Sequence, residues 1–83
     1  MPVINNTGSA EIYPDPATNE IIIALKKDRY STYTIKDGLG QLILHREILN
    51  SVTHVNIESL IPWVYYMILK GDSGIMVKKF TKQ

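Results

Sequence analysis

The side chains that could carry out catalysis or hold a metal ion are few and widely spaced in this sequence. His45 and His54 fall on different predicted strands without a third ligand near them, whereas a zinc site needs three or four converging ligands. The aspartates of the predicted turns, Asp28, Asp37 and Asp72, do not follow the spacing of a calcium-binding loop. Serine, histidine and aspartate all occur, but no nucleophile elbow or triad pattern groups them. The sequence therefore predicts a protein that is not an enzyme and that uses no metal or cofactor.

The composition indicates one small folded domain. Its 83 residues are 45% hydrophobic, which argues against disorder, and the net charge of +1 is too small to indicate nucleic-acid binding. The absence of cysteine excludes disulfides and thiolate chemistry. The longest purely apolar run, Val64 to Leu69, is much shorter than the roughly 20 residues of a transmembrane helix. Residues 1–6 also lack the basic region and apolar core of a secretory signal peptide. We therefore expect a domain that neither binds nucleic acid nor spans a membrane.

Short apolar segments separated by turn residues predict an all-β fold. The candidate strands are Glu20–Leu25, Tyr30–Lys36, Gln41–Ile48, Thr53–Ile57, Val64–Lys70 and Ile75–Thr81. Turn signals such as Asp37-Gly38 and Gly71-Asp72-Ser73-Gly74 lie between them, and no segment has the apolar stripe of an amphipathic helix. Strands and turns at this spacing predict an Ig-like antiparallel β-sandwich of about seven strands.

Alternation within the strands predicts which side chains lie together on one face. Successive side chains of a strand point to opposite sides of the sheet, so every second residue shares a face. The groups predicted in this way are Tyr33 with Ile35, Leu42 with Leu44 and Ile48, and Val55 with Ile57. Core-facing residues of this kind fix how the two sheets pack.

The segment from Leu60 to Tyr66 has the spacing of a tyrosine corner. In such a corner a tyrosine early in a strand donates a hydrogen bond back to the connection that precedes the strand. The motif residues are Leu60, Pro62, Val64, Tyr65 and Tyr66. Two registers are open, because either Tyr65 or Tyr66 can turn the corner.

The beginning of the sequence predicts a linker followed by an edge segment. Residues 5–11 are small and polar, so we expect residues 1–11 to be a flexible approach to a domain that spans residues 12–83. Pro14 and Pro16 cannot donate to a strand ladder, which places their segment at a sheet edge. Exposed, flexible backbone is also what a peptidase needs. The stretch that meets this requirement is Asn5, Asn6, Thr7, Gly8 and Ser9.

Five motifs follow one another along the chain. They are Tyr13-Pro14-Asp15-Pro16-Ala17, the strand Glu20–Leu25, the turn and strand Ile35–Ile43, the corner Ile57–Tyr65 and the terminal Lys78-Lys79-Phe80-Thr81-Lys82. Their order, spacing and terminal position resemble the type A C-terminal sorting domain of the type IX secretion system. The resemblance covers residues 12–83 and implies the same sandwich fold.

Two residues depart from the pattern of that family. Trp63 stands where the family usually has glycine before Val-Tyr, and tryptophan does not readily adopt a positive φ, so this departure favours the register with Leu60 and Tyr66. Asp15 stands in place of asparagine, and we expect it to keep a local hydrogen bond between side chain and backbone.

The resemblance implies a role in export in Gram-negative bacteria. Such a domain follows a cargo in the same chain, is recognised in the periplasm by the outer-membrane translocon, and is usually removed by a sortase-like peptidase that attaches the cargo to the cell surface. It implies localisation at the cell surface or outside the cell. The residues expected to contact the translocon are Lys78, Lys79, Phe80 and Lys82, and Asn5–Ser9 is the expected cleavage region.

Two simpler interpretations stand beside this one. Lysines on an edge strand also prevent aggregation, without any receptor. The alternative is a fibronectin type III-like or carbohydrate-binding accessory module of a secreted enzyme, which the corner motif and Trp63 also allow, because an exposed aromatic face can stack on a sugar.

Overall fold

The computed structural model describes residues 10–26 and 29–83, which form seven β-strands and no helix. The strands are β1 (Glu11–Tyr13), β2 (Glu20–Ala24), β3 (Thr32–Asp37), β4 (Leu42–Glu47), β5 (Val52–Asn56), β6 (Trp63–Gly71) and β7 (Gly74–Lys82). β1 begins one residue before the predicted start of the domain, and Ala10 before it is buried. In the described part of the chain, therefore, no helical segment has the length and hydropathy needed to cross a membrane.

The strands form two antiparallel sheets, which confirms the predicted Ig-like sandwich. One sheet has the order β1-β2-β5 and the other the order β4-β3-β6-β7. The chain changes sheet after β2, after β4 and after β5. In this strand order, β1 and β7 are edge strands of different sheets. The longest ladder joins β6 to β7, from Trp63 opposite Lys82 to Gly71 opposite Gly74. The terminal strand is thereby fixed along its whole length on one side.

The core lies between the sheets and contains most of the side chains predicted to face it. Tyr33, Ile35, Val55 and Ile57 are all buried, as expected. β6 and β7 contribute an aromatic pair whose ring centroids are 5.7 Å apart at an interplanar angle of 24°, formed by Tyr65 and Phe80. The largest fully buried side chains are Tyr65, Phe80, Ile21, Ile23, Ile35, Ile57, Met67 and Leu69.

The prediction that Leu42 shares a face with Leu44 and Ile48 was wrong. Leu44 and Ile48 pack against the core, but Leu42 is 63% exposed. The register between β3 and β4 shifts, because Ile35 lies opposite Leu44 whereas the next residue of β3 lies opposite Leu42. One extra residue in β4 therefore moves Leu42 to the outer face.

The hairpin predicted at Asp37-Gly38 is present and is held by the Asp37 carboxylate. Its Oδ1 accepts hydrogen bonds from the backbone N–H groups of Leu39 and Gln41, each at 2.9 Å. Gly40 has a φ of 83°, a conformation that favours glycine. The turn reverses the chain between β3 and β4 at the same end of the sandwich as the beginning of β6 and the end of β7.

Candidate functional site

Tyr65 forms the tyrosine corner. Its hydroxyl donates a hydrogen bond of 2.7 Å to the carbonyl oxygen of Ile61, and its ring is 2% exposed. The register with Tyr66, which the tryptophan at position 63 favoured, was wrong. Tyr65 faces the core because every second residue of β6 is buried, and Tyr66 therefore points away from the core. Burial raises the pKa of Tyr65, and the nearby Asp37 carboxylate raises it further, so this hydroxyl stays protonated and keeps its hydrogen bond.

Replacing Tyr65 with phenylalanine should weaken the fold without disturbing the core. We expect Tyr65→Phe to lower the free energy of unfolding by about 1 kcal/mol, because it removes one hydrogen bond and retains the ring. Tyr66→Phe is the matched control and should change the free energy of unfolding by less than about 0.5 kcal/mol. Urea denaturation followed by fluorescence measures both, and equal losses would show that the corner bond does not stabilise the fold.

The opening motif at Tyr13–Ala17 and the terminal strand form one structural unit. After Tyr13 the chain leaves the first sheet, and Ala17 pairs in parallel with Lys82 of β7. The N–H of Ala17 donates to the carbonyl oxygen of Thr81 at 2.8 Å, and the N–H of Gln83 donates to the carbonyl oxygen of Ala17 at 2.8 Å. Two motifs at opposite ends of the sequence are thus joined through the backbone.

Asp15 completes this junction. Its Oδ1 accepts a hydrogen bond of 3.0 Å from the N–H of Thr81, 66 residues away in sequence. The expectation that Asp15 would make a local bond was therefore wrong, because the motif lies against the edge of β7. The peptide bonds Tyr13–Pro14 and Asp15–Pro16 are both cis. The opening motif acts as a clamp on the last residues of β7.

Removing the Asp15 carboxylate should loosen the end of β7. We expect Asp15→Ala to speed hydrogen exchange at the Thr81 amide by about tenfold. A hydrogen bond to a charged group contributes about 1.5–3 kcal/mol when it is well shielded, and it contributes less at an exposed site such as this one. Asp15→Asn, which keeps an acceptor oxygen, should retain most of the protection. An unchanged exchange rate at Thr81 in Asp15→Ala would show that the clamp depends on the backbone bonds of Ala17 alone.

The four predicted contact residues of β7 have different environments. Phe80 is fully buried against Tyr65. Lys82 is only 8% exposed, and its Nζ donates to the carbonyl oxygen of Gln83 at 2.9 Å. Lys79 is exposed and Lys78 is half-buried, and they lie on opposite faces of the strand. Of the four, Lys78 and Lys79 are the ones that present an accessible cation.

The edge of β7 is open beyond the clamp. The N–H and C=O groups of Thr81 point away from β6, since they bond to Asp15 and Ala17. Alternate residues of an antiparallel strand direct both groups to the same side, so those of Ile75, Val77 and Lys79 also point outward. Within residues 10–26 and 29–83 no other strand pairs with this part of β7. An exposed sheet edge is a template for pairing with another chain.

A groove runs beside this open edge. It has a volume of about 610 Å³ and lies between Ala10 with β1 on one side and residues 76–79 of β7 on the other. Ile12 and Met76 are buried, whereas Tyr13 is 43% exposed and Val77 is 39% exposed. The site thus combines free backbone groups, apolar surface and two cations.

The two histidines take structural positions on different sheets. His54 of β5 lies 3.2 Å from Oε2 of Glu20, and His45 of β4 hydrogen-bonds through Nδ1 to the Thr34 hydroxyl at 2.8 Å. Among the described residues, no cluster of three or more histidine or acidic side chains could hold a metal ion. Neither histidine lies in the groove between β1 and β7.

The remaining predicted residues occupy the corner or lie outside the described part of the chain. Leu60 packs partly against the core, Pro62 is exposed, and Val64 is half-buried on β6. Trp63 is 39% exposed, and its ring lies over Gly38, where an added Cβ would be 3.6 Å from Trp63 Cε2. The expected cleavage residues Asn5–Ser9 lie outside the described residues.

Sequence reasoning missed the partners of the opening motif. Ala17 and Thr81 supply backbone groups to the clamp, and backbone hydrogen bonding leaves no signal in residue type. Ile61 accepts the corner hydrogen bond through its carbonyl oxygen. This acceptor could have been found from the sequence, because the tyrosine of such a corner bonds to the backbone a few residues before it.

Comparison with known proteins places this fold in a family. The model of the family described as "Secretion system C-terminal sorting domain" matches residues 11–83. No curated protein and no solved structure matches this chain. The matched residues include the opening motif, the corner and the whole of β7.

Proposed function

This chain belongs to the family of secretion system C-terminal sorting domains, and we propose that its open β7 edge is the surface by which the export machinery recognises it. Domains of this family are the C-terminal sorting signals of the type IX secretion system, so the chain serves in export and leads to secretion or cell-surface attachment. The family is not catalytic, and its match does not favour a fibronectin type III-like or carbohydrate-binding module.

The observation that supports the β7 surface is the exposure of cations on an unpaired edge. Lys79 and the half-buried Lys78 flank backbone groups that no described strand uses. Phe80 and Lys82 act differently in this proposal, because both are buried and hold the strand in place. The clamp by Asp15 and Ala17 keeps the end of β7 in register.

The partners follow from the family. Sorting domains imply the type IX machinery and a cargo in the same polypeptide. In our proposal the outer-membrane translocon binds at Lys78 and Lys79, and a sortase-like peptidase then cleaves within Asn5–Ser9 to release the cargo for attachment. The domain itself performs no chemistry in this process.

Site-specific photocrosslinking in living cells tests the proposed surface. A photoreactive amino acid in place of Lys79, in a cargo fusion, is expected to crosslink to a subunit of the translocon, identified by mass spectrometry. The same amino acid in place of His54, which is exposed on the other sheet, is the matched control. Crosslinking of the translocon from position 54 and not from position 79 would contradict the proposal.

A further inference from the structure

The open edge of β7 has the geometry to accept one more strand. Packed sheets lie about 10 Å apart, whereas paired strands lie about 4.8 Å apart, so β1 cannot itself bond to the edge of β7 across the groove. The outward N–H and C=O groups of Val77 and Lys79 face this space. An added strand would extend the order β4-β3-β6-β7 by one and would lie over the groove.

The charges around the groove favour an acidic partner. Lys78 and Lys79 lie on the β7 side of the groove, Lys78 on the face turned towards it and Lys79 on the outer face, and within the described residues neither forms a salt bridge. Glu11 is the acidic residue of the opposite wall, and its carboxylate is paired with Lys26. The hydrogen bond and the attraction to Glu11 raise the pKa of Lys26, so that the Lys26 ammonium stays charged beside this carboxylate. The groove therefore has a net positive charge.

We propose that an extended segment of a partner protein adds as a strand beside β7, and that this segment carries two successive carboxylate side chains. Lys78 and Lys79 point to opposite faces of β7, and successive side chains of a neighbouring strand also point to opposite faces. One carboxylate then faces Lys78 in the groove, and the next faces Lys79 on the outer surface. The proposal rests on the β7 surface proposed above and specifies the chemistry of its partner.

A second copy of this chain is a poorer occupant. Pairing of β7 with β7 of another copy around Lys78 would place four lysines on adjacent strands. Like charges directly opposite one another in a sheet are destabilising, whereas opposite charges are stabilising. The charge pattern thus selects an acidic strand over self-association.

Binding of a short peptide to the purified 83-residue chain tests the inference. The probe is the fluorescein-labelled peptide Thr-Val-Thr-Glu-Glu-Thr-Val-Thr, followed by fluorescence anisotropy and by NMR chemical shifts. We expect binding with shift changes confined to β1 and β7, and about tenfold weaker binding when the central pair is Gln-Gln. Lys78→Glu with Lys79→Glu should weaken binding by at least about tenfold, whereas the matched reversal Lys36→Glu with Lys70→Glu should leave it unchanged.

The role of the backbone is tested separately from the charges. Val77→Pro removes an outward N–H that β6 does not use, and should abolish binding, whereas Val77→Thr keeps the N–H and should bind like the original chain. Should Val77→Pro fail to fold, a probe N-methylated at the residues facing β7 makes the same test on the unmodified protein. The inference would be overturned if the methylated probe or a Lys-Lys probe bound as tightly as the original peptide. It would also be overturned if the chemical-shift changes were confined to the β4 edge. Dimers formed through β7 that exclude the probe would overturn it as well.

The outcome is distinguishable from failure of the proposed function. If Lys78→Glu with Lys79→Glu blocks export but the acidic peptide does not bind, the lysines are recognised without strand addition and this inference falls. If the peptide binds as expected but the Lys78→Glu with Lys79→Glu variant is exported normally, the acidic-strand site stands and the proposed recognition surface falls. Both results come from the same variants.

Discussion

Reversing the charge of Lys78 and Lys79 is expected to keep a cargo fusion in the periplasm. Lys79 is exposed and Lys78 half-buried at the open edge, so two glutamates would face any acidic partner directly. Like charges brought together at an interface cost several kcal/mol, which corresponds to a loss of at least about tenfold in recognition. We therefore expect Lys78→Glu with Lys79→Glu to lower the fraction of exported reporter by about tenfold or more.

A matched reversal elsewhere separates recognition from net charge. Lys36→Glu with Lys70→Glu changes the formal charge by the same amount on β3 and β6, away from the groove. We expect this variant to be exported like the original domain. Circular dichroism and urea denaturation of both purified variants check that each is folded. Normal export of the Lys78 and Lys79 variant, or equal loss in both, would contradict recognition at β7.

Truncating Phe80 is expected to remove a large part of the domain's stability. Phe80 is fully buried and stacks on Tyr65, the residue that also makes the corner. Phe80→Ala should lower the free energy of unfolding by about 3–5 kcal/mol, through lost burial and the cavity left behind. A small domain has a total of about 5–15 kcal/mol, so the change removes a large part of it.

Two controls separate the loss of buried volume at Phe80 from the effect of any substitution in β7. Phe80→Leu keeps most of the buried volume and should cost less than about 2 kcal/mol, while Thr81→Ala is exposed and should cost less than about 0.5 kcal/mol. Urea midpoints and m-values measure all three variants. A loss below about 1 kcal/mol for Phe80→Ala would mean that β7 does not anchor the core.

Local patterns were sufficient to predict six of the seven strands and most of the core, whereas the short strand β1 was missed. Alternation is a property of a strand itself, so Tyr33, Ile35, Val55 and Ile57 could be placed without knowledge of their partners. The turn at Asp37-Gly38 was equally readable, because its residues have conformational preferences of their own. The exposure of Leu42 could not be predicted in this way, because it depends on one extra residue of β4 in the pairing with β3.

The candidate site was only half predictable for a similar reason. The lysines of β7 and the opening motif were visible as residue types, but their contact depends on a sheet edge that only the folded chain forms. Asp15 reaches Thr81 across 66 residues, a separation over which no local preference operates. Lys82 is likewise buried where it pairs with Trp63 of β6 and with Ala17 of the opening motif, whereas its charge alone predicted exposure.

The most direct test of the sorting function is the fraction of a folded reporter that reaches the cell surface or the medium. Residues 1–83 would be fused to the C-terminus of a periplasmic fluorescent protein in two strains, one with a complete type IX system and one with an inactivated translocon. A sorting domain predicts export in the first strain and retention of the folded fusion in the periplasm of the second. Retention of the folded fusion in both strains, or export in both, would contradict it.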